Sequence, residues 1–224
     1  MKNNLLLICL LLFFNTFFGQ EQNDSITTST FTKWRLEGGF GYSHGVGPYK
    51  DGYYSTLNNR PFGKLSLNSF RLGASYFFSR NYGIKSDISF DRFKNLDTKS
   101  KTFETGFFRV SVQLLVNLTR FYNAKEEPKF NILFHGGVNL GSLKTIKTTE
   151  NETIGSPDLI GGLVLGVMPT YRISKKSALF FDFSSFHNYR QNHTWDGHVA
   201  EENDNLSGKM LNGTIGITYS LGKN

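Results

Sequence analysis

From Phe108 to Leu118 every second residue is apolar: Phe108, Val110, Val112, Leu114, Val116 and Leu118 alternate with Arg109, Ser111, Gln113 and Asn117. A period of two puts successive side chains on opposite faces of a strand, here one apolar and one polar. The same alternation runs from Phe130 to Leu140, where Ile132, Phe134 and Val138 oppose Asn131, His135 and Asn139. It returns from Leu211 to Leu221, where Ile215, Ile217 and Tyr219 oppose Asn212, Thr214, Thr218 and Ser220. Less regular versions occupy 34–43, 70–78, 82–91, 159–173 and 179–189. The pattern predicts about eight strands. Pro169, in the sixth, lacks the N–H that a ladder requires and predicts a bulge.

The intervening segments alternate in length, long near 44–67, 94–104, 142–158 and 190–208, short near 79–82, 120–128 and 174–177. With an even strand count, that asymmetry is expected of a transmembrane barrel with long loops outside the cell and both termini in the periplasm. A soluble barrel with its apolar face turned inward would show the same period, so the aromatic residues carry the choice. Trp34, Tyr42, Phe78, Tyr82, Phe90, Phe108, Phe130, Tyr171 and Tyr219 fall near strand ends, with Val, Leu and Ile nearer the middle. Two interfacial aromatic belts require this arrangement. The expected fold is all-β, an eight-stranded antiparallel up-and-down transmembrane β-barrel over 33–224.

The polar faces carry Arg35, Glu37, Arg71, Lys85, Asp87, Asp91, Arg109, Arg172 and Asp182. Side chains fill the interior of so small a barrel, and confined charges are costly unless paired. A plugged, hydrogen-bonded polar lumen is therefore expected, with the slight excess of cations meeting water or loop groups. Val112→Arg, on the lipid side, should cost on the order of 2–4 kcal/mol, and Gln113→Arg on the lumen side much less.

The N-terminus has one cation, Lys2, then an apolar run from Leu5 to Phe14, then Gly19 before the polar Gln20, Glu21 and Gln22. This is the layout of a cleaved secretory signal over 1–19, with the cut between Gly19 and Gln20 and a polar leader over 20–32. The run falls short of the roughly 20 residues that a spanning helix needs. The single cysteine, Cys9, lies in the segment to be removed, so no thiol, disulfide or cysteine-based metal site is expected. A net charge of +7 would ordinarily raise nucleic acid as a partner. The cations are dispersed along strands and turns of an exported chain, so none is expected. A mean hydropathy of −0.32 argues against a helical membrane protein but not against a barrel, where alternate residues meet lipid.

In the last strand Thr214, Gly216, Tyr219 and Leu221 keep the spacing polar, x, Gly, x, x, aromatic, x, apolar. It resembles the β-signal by which outer-membrane barrels are recognised for assembly, which makes the barrel assembly machinery an expected partner. Pro128 to Gly137, Gly166 to Ser174, Phe181 to Asn188 with Trp195, Asp196 and Gly197, and Asn212 to Gly222 together resemble the outer-membrane β-barrel proteins of Bacteroidota, of the porin-family or OmpA type. The resemblance spans nearly the whole mature chain and implies the outer membrane as location and its lipid as surroundings; a monomer is expected. Proteins of that type often continue into a peptidoglycan-binding domain. No such domain is expected after the barrel here.

Three chemistries are candidates beyond a structural or surface-interaction role. His187, His193, Asp196, His198, Glu201, Glu202 and Asp204 gather metal-ligating types around the last long loop without a tight ligand spacing, and solvated loops are often rich in them, so no metal or cofactor is expected. Ser184, Ser185 and His187 invite comparison with barrel enzymes that modify lipid A. The deacylase barrels use His-x-Ser, and here Asn188 and Tyr189 follow the histidine, so no enzyme is expected. A narrow pore is the third, suggested by the lumen cations and Gly39, Gly41, Gly73, Gly162 and Gly216, although eight strands leave no channel once side chains fill them. The first loop mixes Tyr49, Tyr53, Tyr54 and Phe62 with Lys50, Arg60 and Lys64. It reads equally as an extracellular protein or glycan contact and as packing across the barrel mouth.

Overall fold

A computed structural model of the chain describes residues 32–53, 67–95, 101–122, 128–148, 156–199 and 206–222. The expected signal segment, its boundary at Gly19 and Gln20, and nearly all of the leader lie outside the described residues.

Eight strands form: β1 (Trp34–Gly47), β2 (Ser69–Phe77), β3 (Tyr82–Lys94), β4 (Phe103–Asn117), β5 (Phe130–Thr148), β6 (Asp158–Arg172), β7 (Ser177–Gln191) and β8 (Leu206–Leu221). One turn of helix, α1 (Thr119–Tyr122), follows β4. Each strand pairs antiparallel with its neighbours, and β1 pairs with β8, so the sheet closes. Following the register once around carries Trp34 through Tyr76, Ile84, Leu114, Gly136, Leu165, Ser185 and Leu211 to His44, a stagger from position 34 to position 44. Eight strands so staggered tilt by about 40° and leave an interior about as wide as the side chains that fill it.

Burial is inverted relative to a soluble barrel. Leu36, Leu72, Ile88, Val112, Leu114, Val138, Leu165, Phe181 and Ile217 point outward and are exposed, while Glu37, Arg71, Lys85, Asp87, Asp91, Arg109 and Asp182 are buried inside. Trp34, Phe78, Tyr82, Phe130, Tyr171 and Tyr219 stand exposed near the strand ends, whereas Phe90 and Phe108, paired with one another, are exposed further inside β3 and β4. A continuous apolar exterior over a charged interior is stable only where the exterior meets hydrocarbon.

Two differences from the sequence reading stand out. The expected bulge at Pro169 is absent: pairing between β6 and β7 lapses across Met168 and Pro169 and resumes in the same register at Thr170. The proline costs local hydrogen bonds without shifting the ladder. The register shifts lie instead at Gly45/Gly47, Glu104/Thr105 and Asn188/Gln191, all at the long-loop end. The strands also outrun their alternating segments there, with β5 reaching Thr148 and β7 reaching Gln191.

Candidate functional site

The lumen is layered. Across its middle Asp182 on β7, fully buried, gathers Arg71 of β2 and Lys85 of β3, whose Nη1 and Nζ donate to Oδ2 at 2.5 and 3.0 Å. The Ser184 hydroxyl donates to Oδ1 at 2.5 Å, and His135 Nε2 lies 3.4 Å from the same oxygen. Lys85 also stands 3.6 Å from Glu37 and 4.0 Å from Asp87, and Arg71 stands 3.9 Å from Glu37. Ser75 donates to Glu37, Gln113 donates to Asp87 and Ser111, and His135 Nδ1 donates to Gln113 Oε1 at 2.5 Å. Each carboxylate at this level thus has a donor, as buried charge demands.

Toward the long-loop end a second knot forms. Arg109 Nε donates to Asp91 at 2.9 Å and its guanidinium lies 3.9 Å over the Phe186 ring. Ser43 donates to the other Asp91 oxygen, Asn212 donates to Ser43 and Ser69, and Thr214 donates to Asn212. Toward the short-turn end lies an apolar layer of Phe77, Leu115, Leu133, Met168 and Phe180. Arg35 stacks over Phe77 there, and Arg172, on the inward face of β6, is half-buried. Glu37, Arg71, Lys85, Asp87 and Asp182 thus make up the middle layer, Asp91 and Arg109 the knot toward the long-loop end, and Arg35 and Arg172 stand at the short-turn end.

The mouth at the long-loop end holds what the alternation did not announce. A turn at 193–198 leaves β7 and folds back into the barrel, placing Trp195, fully buried, among Tyr53, Phe93, Phe103, Phe107, Leu143, Ile160, Val164, Phe186 and Met210. Phe93 and Phe107 meet its ring at centroid distances of 4.8 and 5.6 Å. Asp158 on β6 directs the entry by accepting from the backbone N–H groups of Asn192 and His193 at 2.7 and 2.9 Å. Gly197 closes the turn at φ 92°, a left-handed conformation that suits glycine, and a Cβ there would lie 2.2 Å from Thr145 Oγ1.

The turn's polar groups are tied to the wall and to the first loop. Trp195 N and Nε1 donate to the Pro48 and Gly47 carbonyls at 3.0 and 2.9 Å. Thr105 and Thr145 donate to the Trp195 and Gly197 carbonyls, and Lys50 N donates to Asp196. Asp196 also pairs with His198 Nδ1, and His198 packs against Tyr53. Of the first loop's aromatics Tyr53 is buried and Tyr49 half-buried, so both pack across the mouth; Tyr54, Arg60, Phe62 and Lys64 lie outside the described residues.

These contacts change the standing of the other candidates. Asp196 and His198 are committed to one another and to the plug, and the described residues hold no group of three ligands gathered for a metal. Glu201, Glu202 and Asp204 lie outside the described residues. Ser184 points inward to Asp182, whereas Ser185 and His187 share the outward face with Oγ and Nε2 3.5 Å apart. In the closing strand Thr214 is buried, and Tyr219 and Leu221 stand on the exterior. Gly216 has a packing reason of its own: a Cβ there would lie 2.1 Å from the Gly38 carbonyl oxygen and 2.6 Å from the Phe180 ring, at the β1–β8 closure.

Fold and interior together define a transmembrane, up-and-down β-barrel with a filled lumen. No family model and no curated protein matches the chain. Among solved structures it is similar to Neisserial surface protein A at 12% identity and TM-score 0.47, over 84% of this chain and 97% of that one. It is similar to Ail, the attachment invasion locus protein of Yersinia pestis, at 14% identity and TM-score 0.46, over 85% and 99%. OprG, an outer membrane protein of Pseudomonas aeruginosa, gives 10% identity and TM-score 0.48 over 86% and 97%.

Proposed function

We propose that the protein is a closed outer-membrane barrel with a structural or surface-interaction role, carrying its long loops outside the cell and its termini in the periplasm. The observation that carries this reading is the filled lumen beneath an apolar exterior. Paired charges cross the middle, and the Trp195 turn and the Phe77–Phe180 layer pack above and below them. Such a barrel offers a rigid platform for loops rather than a path for solutes. The sequence resemblance to Bacteroidota barrels and the export signal at 1–19 support the compartment, and the Thr214–Leu221 spacing supports delivery by the barrel assembly machinery.

In this reading the chain is a monomer surrounded by outer-membrane lipid, has no catalytic centre, and meets extracellular protein or glycan through the loops. Cell fractionation with heat-modifiable migration on gels tests the location: recovery with the outer membrane and a folded band that shifts on boiling are expected. Planar-bilayer recording tests the plug. The expected trace has no steady conductance, and stable openings of the unmodified chain would sink the closed reading.

A further inference from the structure

Near the long-loop end, β3, β4 and β5 bring an unusual group to the outer face of the barrel. The register aligns Arg92, Gly106 and Lys144 across the three strands, and one step higher Lys94, Glu104 and Lys147. The register shift at Glu104/Thr105 leaves Ile146 as an extra residue in β5 and turns Lys147 toward Glu104. Gly106 adds no side chain to the row, and the place its Cβ would take is walled by the Phe90 ring at 3.2 Å and Ile146 Cδ1 at 3.3 Å. The result is a saddle with an apolar floor and cations on both sides, Arg92 and Lys144 being two strand spacings or about 10 Å apart.

The charges do not cancel. Arg92 is paired with Glu104, whereas Lys94, Lys144 and Lys147 are exposed and have no carboxylate partner among the described residues. Directly below the saddle the outward side chains are Phe90 and Phe108, then Ile88 and Val110, all exposed. A group of exposed cations stacked on an aromatic and aliphatic track is complementary to a molecule with phosphate at one end and acyl chains at the other. A soluble anion would use only the upper half.

We infer that this saddle is a binding site for the phosphorylated headgroup of a membrane lipid in the leaflet on the long-loop side, Lys94, Lys144 and Lys147 holding phosphate while the acyl chains lie along Phe90, Phe108 and Val110. The inference rests on the membrane reading above and adds a specific lipid contact to it.

The test uses the full mature chain refolded in micelles, with folding of each variant checked by heat-modifiable migration. Native mass spectrometry then measures retention of diphosphoryl lipid A in competition with its dephosphorylated form. Preferential retention of the diphosphoryl form is expected. Substituting Lys94→Gln, Lys144→Gln and Lys147→Gln together should reduce that preference at least about tenfold, since each cation near a charged headgroup contributes appreciably. Removing three cations at the other rim, Lys129→Gln, Lys175→Gln and Lys176→Gln, should change it by less than about twofold. Equal losses from both triple variants, or equal retention of the two lipids by the unmodified chain, would overturn the site. A chain without a heat-modifiable band would overturn the membrane reading and the site with it; a folded barrel without the preference overturns the site alone.

Discussion

The middle of the lumen and its mouth at the long-loop end are both closed, by opposite means. In the middle, residues fixed to strands meet across the barrel as charges: Asp182, Arg71, Lys85, Glu37 and Asp87 come from four strands and stand within ion-pair distance of one another. At the mouth the closure is an apolar cluster completed by a loop residue, Trp195, whose turn is hydrogen-bonded to β1, β4, β5 and the first loop. The difference teaches that a small barrel can be sealed by register alone or by a returning loop. The two seals should also fail differently, because a stranded charge has no cheap alternative whereas a loop can withdraw into water.

The largest effect is expected in the middle. Asp182→Ala leaves Arg71 and Lys85 facing each other without their shared acceptor and should destabilise the folded barrel by about 4–5 kcal/mol in urea titrations followed by heat-modifiable migration. A loss under about 1 kcal/mol would mean that water enters the layer freely. Trp195→Ala empties the centre of the mouth cluster and should cost about 3–4 kcal/mol. It should also expose the 193–198 turn to protease while leaving the rest of the barrel resistant; unchanged proteolysis would show that the turn is held by its hydrogen bonds alone.

Between those regions and the lipid, Val112→Arg should cost on the order of 2–4 kcal/mol by placing a charge on the outer face at mid-strand. Gln113→Arg, which the alternation alone makes mild, should no longer be so, because Gln113 is buried and bonded to Asp87, Ser111 and His135. Comparable losses from the two are therefore expected, and a mild Gln113→Arg would indicate spare volume in the layer. The smallest effect belongs to Thr105→Val, which removes one donor from the buried Trp195 carbonyl and should cost about 1–1.5 kcal/mol. No change would mean that the turn relaxes to find another donor.

The same contrast explains what could be read from the chain. The eight strands, the lipid-facing positions and the charged inward residues followed from a period of two, because in a closed antiparallel barrel each inward position on a strand fixes the next. The mouth escaped that logic. Residues 192–204 carry His, Asp, Glu and Asn in the proportions of a solvated loop, and a single tryptophan among them has no periodic partner. Phe93, Phe103, Phe107 and Phe186, the walls of its pocket, lie on the nominally polar face; aromatics on the wrong face near the long-loop ends were the one available sign.

The sequence by itself determined the alternation, and with it the closed all-β barrel, its two faces and the charges bound for the interior, because these depend on residues two apart on one strand. Only the tertiary structure decided which charges meet, that Trp195 returns to fill the mouth, and that Lys94, Lys144 and Lys147 gather around Gly106 and Glu104 on the outer face. Each of these depends on the stagger of the closed sheet, and that stagger brings together residues that are distant along the chain.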